Sequence, residues 1–173
     1  AEMLKHGLLS SEEEMKKLSK FYARKPDFDL LAELIETSIE VKANIVKQDP
    51  TEKGIRKALN LGHTIGHAFE SYSHETNRPI LHGHAVAWGL IGELFLSYKL
   101  QGFAQSVLTE TVRFIRENYG VFEITCNDYP ALYEYMAHDK KNATAGEINF
   151  TLLKGVGDIV PNCIVEKELI YQA

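Results

Sequence analysis

Residues 82–100, HGHAVAWGLIGELFLSYKL, set the strongest limit on the fold, because a helix made from them is apolar nearly all round. Such a helix has no solvent face and belongs at the centre of a packed domain. No apolar run in the chain reaches the roughly 18 residues that a bilayer-spanning helix requires, and no signal-peptide pattern is present. The chain of 173 residues suits one domain with a sizeable core.

The rest of the chain supplies helices to cover that centre. AEMLKHG reads as the end of a helix with Gly7 as its C-cap. Ser11 and Glu14 fit a capping box, and the acidic run after Ser11 is a solvated helix start. In residues 27–49, Leu31, Leu34, Ile35, Ile39 and Ile45 recur at helical period. Pro50 and Gly54 punctuate the pattern, a helix over about 55–75 follows, and Asn77–Arg78–Pro79 breaks it. Further helices are expected over about 104–118 and after Pro130. Only EINFTLL and DIVPNCIV read as strands. The expected fold class is therefore mainly α, multi-helical, with a small terminal β element.

The helix over 55–75 carries an unusual polar column. Arg56, Asn60, His63 and His67 are spaced 4, 3 and 4 residues apart. On one α-helix they fall within about 60° of one another. Exposed helix faces usually carry Lys and Glu, which are better helix formers than Asn and His. Gly62 and Gly66 each cost about 1 kcal/mol in a helix interior, so either another backbone or a ligand must pack closely there. Against this stands the plainer account of core histidines or a polar surface stripe, which explains one His but not the whole column. The HxxxH spacing is not a zinc-protease motif, because Thr64 occupies the position of that motif's general-base Glu.

A second candidate is LHGHAVAWG. His82 stands where the apolar helix begins, and a helix N-terminus disfavours the protonated imidazole, leaving the neutral form that binds metals. His84, two residues on, cannot point the same way. Lys42 falls on the apolar stripe of its helix, where it either snorkels to solvent or meets an anion in a cleft.

Net charge of −5 and a pI near 5.8 give no electrostatic reason to expect nucleic acid. Cys126 and Cys163 stand alone without CxxC spacing, which fits a reduced, intracellular setting. The opening AEMLKHG lacks an initiator Met and reads as the continuation of a longer chain.

Taken together, KANIVKQDPTEKGIRKALNLGHTIGHAFE, LHGHAVAWG, AEMLKHG and HDKKNATAGEINFTLLKGVG closely resemble the 3-dehydroquinate synthases over essentially the whole chain. The resemblance implies that residues 1–173 are that family's helical metal- and substrate-binding domain, with its N-terminal NAD-binding α/β domain absent. It implies zinc, or cobalt, held by Glu2, His63 and His82, a His2Glu set of the catalytic type. It implies NAD as a second cofactor, and a sugar-acid phosphate substrate, 3-deoxy-D-arabino-heptulosonate 7-phosphate, held by Lys42, Arg56, Asn60 and Lys140. Lys5, Glu52, Arg56, Asn60 and His67 complete the implied catalytic set, with His67 in proton transfer. A cytoplasmic homodimer in the shikimate pathway, with no membrane or nucleic-acid partner, is implied as well.

Two departures stand out: His84 replaces the family's usual Glu, and no GxGxxG strand–turn–helix occurs. Two rival families share this helical domain. In 2-deoxy-scyllo-inosose synthase and similar sugar-phosphate cyclases, the positions of Asn60 or His67 tend to change. Iron-dependent alcohol dehydrogenases have no need of Arg56, Asn60 and the DKK lysines to hold a doubly anionic substrate. A non-enzymatic helical interaction domain would leave the polar column and paired glycines unexplained.

Overall fold

A computed structural model describes residues 1–22, 24–138 and 147–173. Its helices are α1 (Glu2–Ser10), α2 (Glu12–Leu18), α3 (Phe28–Gln48), α4 (His63–Glu75), α5 (His82–Gln101), α6 (Gln105–Tyr119), α7 (Tyr129–Ala137) and α8 (Lys167–Ile170). A 3-10 turn, Ile55–Asn60, precedes α4. Strands β1 (Asn149–Gly155) and β2 (Asp158–Ile164) pair antiparallel, Asn149 opposite Ile164 and Gly155 opposite Asp158. The architecture is mainly α, as the patterning predicts.

α5 lies between two cores. Leu90 and Leu94 join Leu4, Leu8, Leu34 and Ile115 on one side, while Leu96 joins Ile65, Leu132, Met136 and Phe150 on the other. Two apolar clusters flanking one helix explain why it can spare no solvent face. Full burial of each such aliphatic side chain contributes about 1.5–3 kcal/mol. None of the helices is long and apolar enough to cross a membrane among the described residues.

β1 does not alternate between core and solvent. Phe150, Thr151, Leu152 and Leu153 are all buried, because one side meets α5 and the other meets the 3-10 turn. The Leu153 N–H donates to Ser97 Oγ (3.0 Å), and Thr151 Oγ1 donates to the Lys57 carbonyl (2.9 Å). Pro161 is accommodated in β2, which among the described residues pairs with no strand but β1.

Three local expectations are corrected. Gly7 does not cap α1, which continues to Ser10; a Cβ at residue 7 would lie 3.0 Å from Met15 Sδ, so the glycine serves helix packing. Residues 55–75 are not one helix: the chain makes a 3-10 turn, then Gly62 takes φ +79° before α4 begins. On α3, Leu34 and Ile45 are buried but Ile35 and Ile39 are exposed, so only part of the apolar stripe reaches the core. The Ser11 cap is present, its Oγ accepting from the Glu14 N–H (3.3 Å).

Candidate metal and substrate site

The crossing of α4 and α5 places the histidines. A Cβ at Gly89 would sit 2.1 Å from the Gly62 carbonyl oxygen and 2.6 Å from Gly66 N, and one at Gly66 would meet the Ala85 carbonyl at 3.1 Å. The close object that the glycines imply is therefore another backbone. His63 opens α4, His67 follows one turn later, and His82 opens α5. Their rings converge, with centroids 5.4 Å (His63–His67), 5.6 Å (His63–His82) and 6.0 Å (His67–His82) apart. His84 turns elsewhere, against Trp88 and Tyr119.

Hydrogen bonds fix which nitrogen His63 and His82 offer. His63 Nδ1 lies 3.0 Å from the Leu61 carbonyl, an acceptor, so Nδ1 carries the proton and Nε2 the lone pair of the neutral ring. That Nε2 is 3.6 Å from Glu2 Oε1. Two donors about 2.1 Å from one tetrahedral ion stand about 3.4 Å apart, so this pair fits a shared divalent cation. His82 Nδ1 is held at 3.0 Å by Glu70 Oε2, the carboxylate–histidine pairing that orients metal-ligating rings and raises their basicity. Glu2, His63 and His82 thus have the chemistry of a His2Glu site. Among the described residues, no three such donors are already drawn in to coordination geometry. One reason is visible: Lys5 Nζ engages Glu2 Oε2 at 2.8 Å.

Burial pushes the Glu2 carboxyl up, but the Lys5 hydrogen bond and charge, joined by His63 and His6 where those rings are protonated, outweigh it and hold the group below its ordinary value. His6 is pushed down to about 4 by burial and then by the Lys5 charge. It stands 3.8 Å from Glu2 as a neutral ring, with Nδ1 2.7 Å from Ser38 Oγ.

Beside the imidazoles lies a cavity of about 200 Å3, lined by Glu2, Lys5, Lys42, Glu52, Arg56, Leu59, Asn60 and His63. Lys42 lines it from α3 while remaining an exposed residue. Lys5, although almost fully buried, also donates to the Leu59 carbonyl (2.8 Å). Arg56 Nη1 donates to the Pro50 carbonyl (2.7 Å). Glu52 accepts from Asn60 Nδ2 (2.9 Å) and lies 3.9 Å from Arg56 Nε. Three cations against two carboxylates give the cavity a positive balance suited to carboxylate or phosphate. Lys140 lies outside the described residues. A larger cavity, about 320 Å3, opens on the other face of α4 among Ile65, Ala68, Phe69, Trp88 and Ile91 and brings none of these polar groups together.

Two supporting residues escape the sequence reading. Asp49 accepts from the N–H groups of Lys53 (3.1 Å), Gly54 (2.7 Å) and Arg56 (3.1 Å), which shapes the loop bearing Glu52 and the start of the 3-10 turn bearing Arg56. An Asp just before Pro–Thr is a turn signal that could have found it. Glu70, three residues after His67, extends the same helix face and was readable as part of the column.

Residues 1–142 match the family 3-dehydroquinate synthase C-terminal. The chain belongs to the 3-dehydroquinate synthase family. The 3-dehydroquinate synthase of Parabacteroides distasonis is 53% identical over all 173 residues, which cover 49% of that protein. That of Leptospira interrogans is 39% identical, covering 100% of this chain and 47% of the relative. The chain therefore spans about half the length of the curated 3-dehydroquinate synthases it matches. Among solved structures, 2-deoxy-scyllo-inosose synthase complexed with carbaglucose-6-phosphate, NAD+ and Co2+ superposes with a TM-score of 0.78 at 23% identity, over 99% of this chain and 48% of that one. 2-epi-5-epi-valiolone synthase from Streptomyces hygroscopicus subsp. jinggangensis 5008, with NAD+ and Zn2+ bound, gives 0.72 at 18% identity, over 99% and 48%. At such identities these two speak for the fold of the 3-dehydroquinate synthase domain.

Proposed function

We propose that this chain is the metal- and substrate-binding domain of a 3-dehydroquinate synthase, which converts 3-deoxy-D-arabino-heptulosonate 7-phosphate to 3-dehydroquinate and phosphate in the shikimate pathway. The observation that carries the reading is that Glu2 and His63, with the His82 ring beside His63, border the cationic cavity of Lys5, Lys42 and Arg56. Glu2, His63 and His82 would hold zinc or cobalt. When bound, the ion supplies Lewis-acid polarisation of substrate hydroxyls, and NAD+ supplies a reversible hydride acceptor. The solved cyclases, one with NAD+ and Co2+ and one with NAD+ and Zn2+, support both cofactors.

The chain's own residues do the rest. Lys5, Lys42 and Arg56 bind the substrate's carboxylate and phosphate, with Asn60 contributing an amide donor. Glu52 orients Asn60 and Arg56. His67, next to both His63 and His82, moves a proton at the reacting hydroxyl as a general acid–base imidazole. The overall conversion is redox-neutral, so the nicotinamide is restored within each turnover. Identity of 53% to a 3-dehydroquinate synthase, against 23% to the inosose synthase, favours this substrate over that of a sister cyclase. The other half of the relatives' length is assigned to an NAD-binding α/β domain, and the whole works as a cytoplasmic homodimer.

The test is phosphate release from the heptulosonate phosphate with NAD+ and zinc or cobalt, using residues 1–173 and the protein extended to the relatives' full length. Turnover is expected only from the longer protein, because positioning the nicotinamide against the substrate contributes on the order of 7–11 kcal/mol. Turnover by residues 1–173 alone would overturn the domain assignment. Cyclisation of a different sugar phosphate, with none of this one, would overturn the substrate.

A further inference from the structure

Glu93 is a fully buried acidic residue on α5, at the centre of the fold, and the reaction outlined above makes no use of it. Its carboxylate lies at the start of α4. The Gly62 N–H donates to Oε2 (2.6 Å), while the N–H groups of Thr64 (2.9 Å) and Ile65 (3.2 Å) donate to Oε1. These are first-turn donors that have no partner within their own helix. Helices usually satisfy them with a Ser, Thr, Asp or Asn side chain at the N-cap. Here the N-cap is Gly62, with φ +79° and a position where a Cβ would strike Leu90 Cγ at 2.7 Å. Residue 62 can carry no capping side chain, and Glu93 supplies the missing cap from the neighbouring helix.

The residue enclosed by those three N–H donors is His63. Its Nδ1 bonds back to the Leu61 carbonyl, on the other side of Gly62, so the direction of Nε2 depends on the conformation of residues 61–63. That conformation is what the Glu93 bonds hold. We infer that Glu93 is a positioning residue for the metal site, setting the orientation in which His63 presents Nε2 towards Glu2. This inference rests on the metal reading proposed above.

The experiment titrates Co2+ into the protein against a chelator of known affinity and records the visible absorption of the bound ion. Wild type is compared with Glu93→Gln, Glu93→Asp and, as a core control away from the site, Leu152→Ala. Glu93→Gln should weaken Co2+ roughly 10- to 100-fold and alter the band, because the amide presents a donor where Gly62 or its neighbours also donate. Glu93→Asp keeps the charge but is one methylene too short to reach both sets of N–H groups, and should fall between wild type and Glu93→Gln. If Glu93→Gln does not fold, the Asp variant carries the test. Leu152→Ala should lower the unfolding temperature while leaving Co2+ affinity and spectrum unchanged. Wild-type affinity and spectrum in the folded Glu93 variants would overturn the inference and leave the metal site standing. Equal weakening by Leu152→Ala at matched loss of stability would reduce Glu93 to general packing and overturn it as well. Absence of Co2+ binding by wild type would instead sink the metal reading itself.

Discussion

Glu70 Oε2 holds His82 Nδ1 at 3.0 Å, so the carboxylate of one helix orients the histidine that opens the next. Replacing Glu70 by Gln keeps the size but weakens the acceptor. Metal affinity should fall roughly 10- to 100-fold with little change in unfolding temperature, as read by chelator competition and thermal melting. Unchanged affinity would remove Glu70 from the support of the site.

Arg56→Ala should raise KM for the phosphate ester by roughly 10- to 100-fold in the full-length enzyme, since hydrogen bonds to a charged partner contribute about 1.5–3 kcal/mol. Arg56→Lys should recover only part of this, because an ammonium cannot reproduce the guanidinium fork. Steady-state kinetics distinguishes the two, and equal KM values for wild type and the Ala variant would exclude Arg56 from anion binding.

Asp49 gives a pH dependence of known sign. Its carboxyl is held below the ordinary value, first by the Gly54 N–H bond and then, against a burial penalty, by those of Lys53 and Arg56 and by the Arg56 charge. A depressed folded-state pKa contributes order that is fully present above the unfolded value of 3.8 and is lost as pH falls through the lower folded value. Amide exchange at Gly54 and Arg56 should therefore show protection down to about pH 4 and lose it below. Asp49→Asn should abolish that step.

Gly89→Ala should be severely destabilising. The added Cβ meets the Gly62 carbonyl at 2.1 Å and Gly66 N at 2.6 Å, both backbone atoms, so no side chain can swing aside. A loss at or above about 3 kcal/mol is expected from urea unfolding. Gly83→Ala, on the same helix with open space around its Cβ position, is the matched control and should be neutral or stabilising.

α5 was legible because all-round apolarity leaves a helix nowhere to go but the interior. Of the polar column, Arg56, Asn60 and His63 line one cavity, whereas His67 is not among its lining residues and packs against the His63 and His82 rings. Arg56 and Asn60 do not share a face through helical period, since the 3-10 turn sets residues four apart by about 120°. They converge because Glu52 reaches both. Glu52 does so from φ +57°, a left-handed conformation costing roughly 1–2 kcal/mol for a non-glycine residue, and no pattern in the chain announces it. Gly62 was read as a helix-interior glycine; its positive φ and the cap delivered from residue 93 are tertiary facts, invisible to a reading that weighs neighbours in sequence.

The glycine contact between α4 and α5 divides the site into a fixed jaw and an adjustable one. His63, His67 and His82 are mounted on two helices whose backbones touch, leaving no side-chain layer through which one helix could slide past the other. Glu2 and Lys5 sit on α1, Lys42 on α3, Glu52 on the loop after α3 and Arg56 in the 3-10 turn that precedes α4, none of them on the touching helices themselves. An ion seated on His63 and His82 would therefore have two ligands on the fixed side and one, Glu2, on the adjustable side, so any shift of α1 would be felt first in the Glu2 bond.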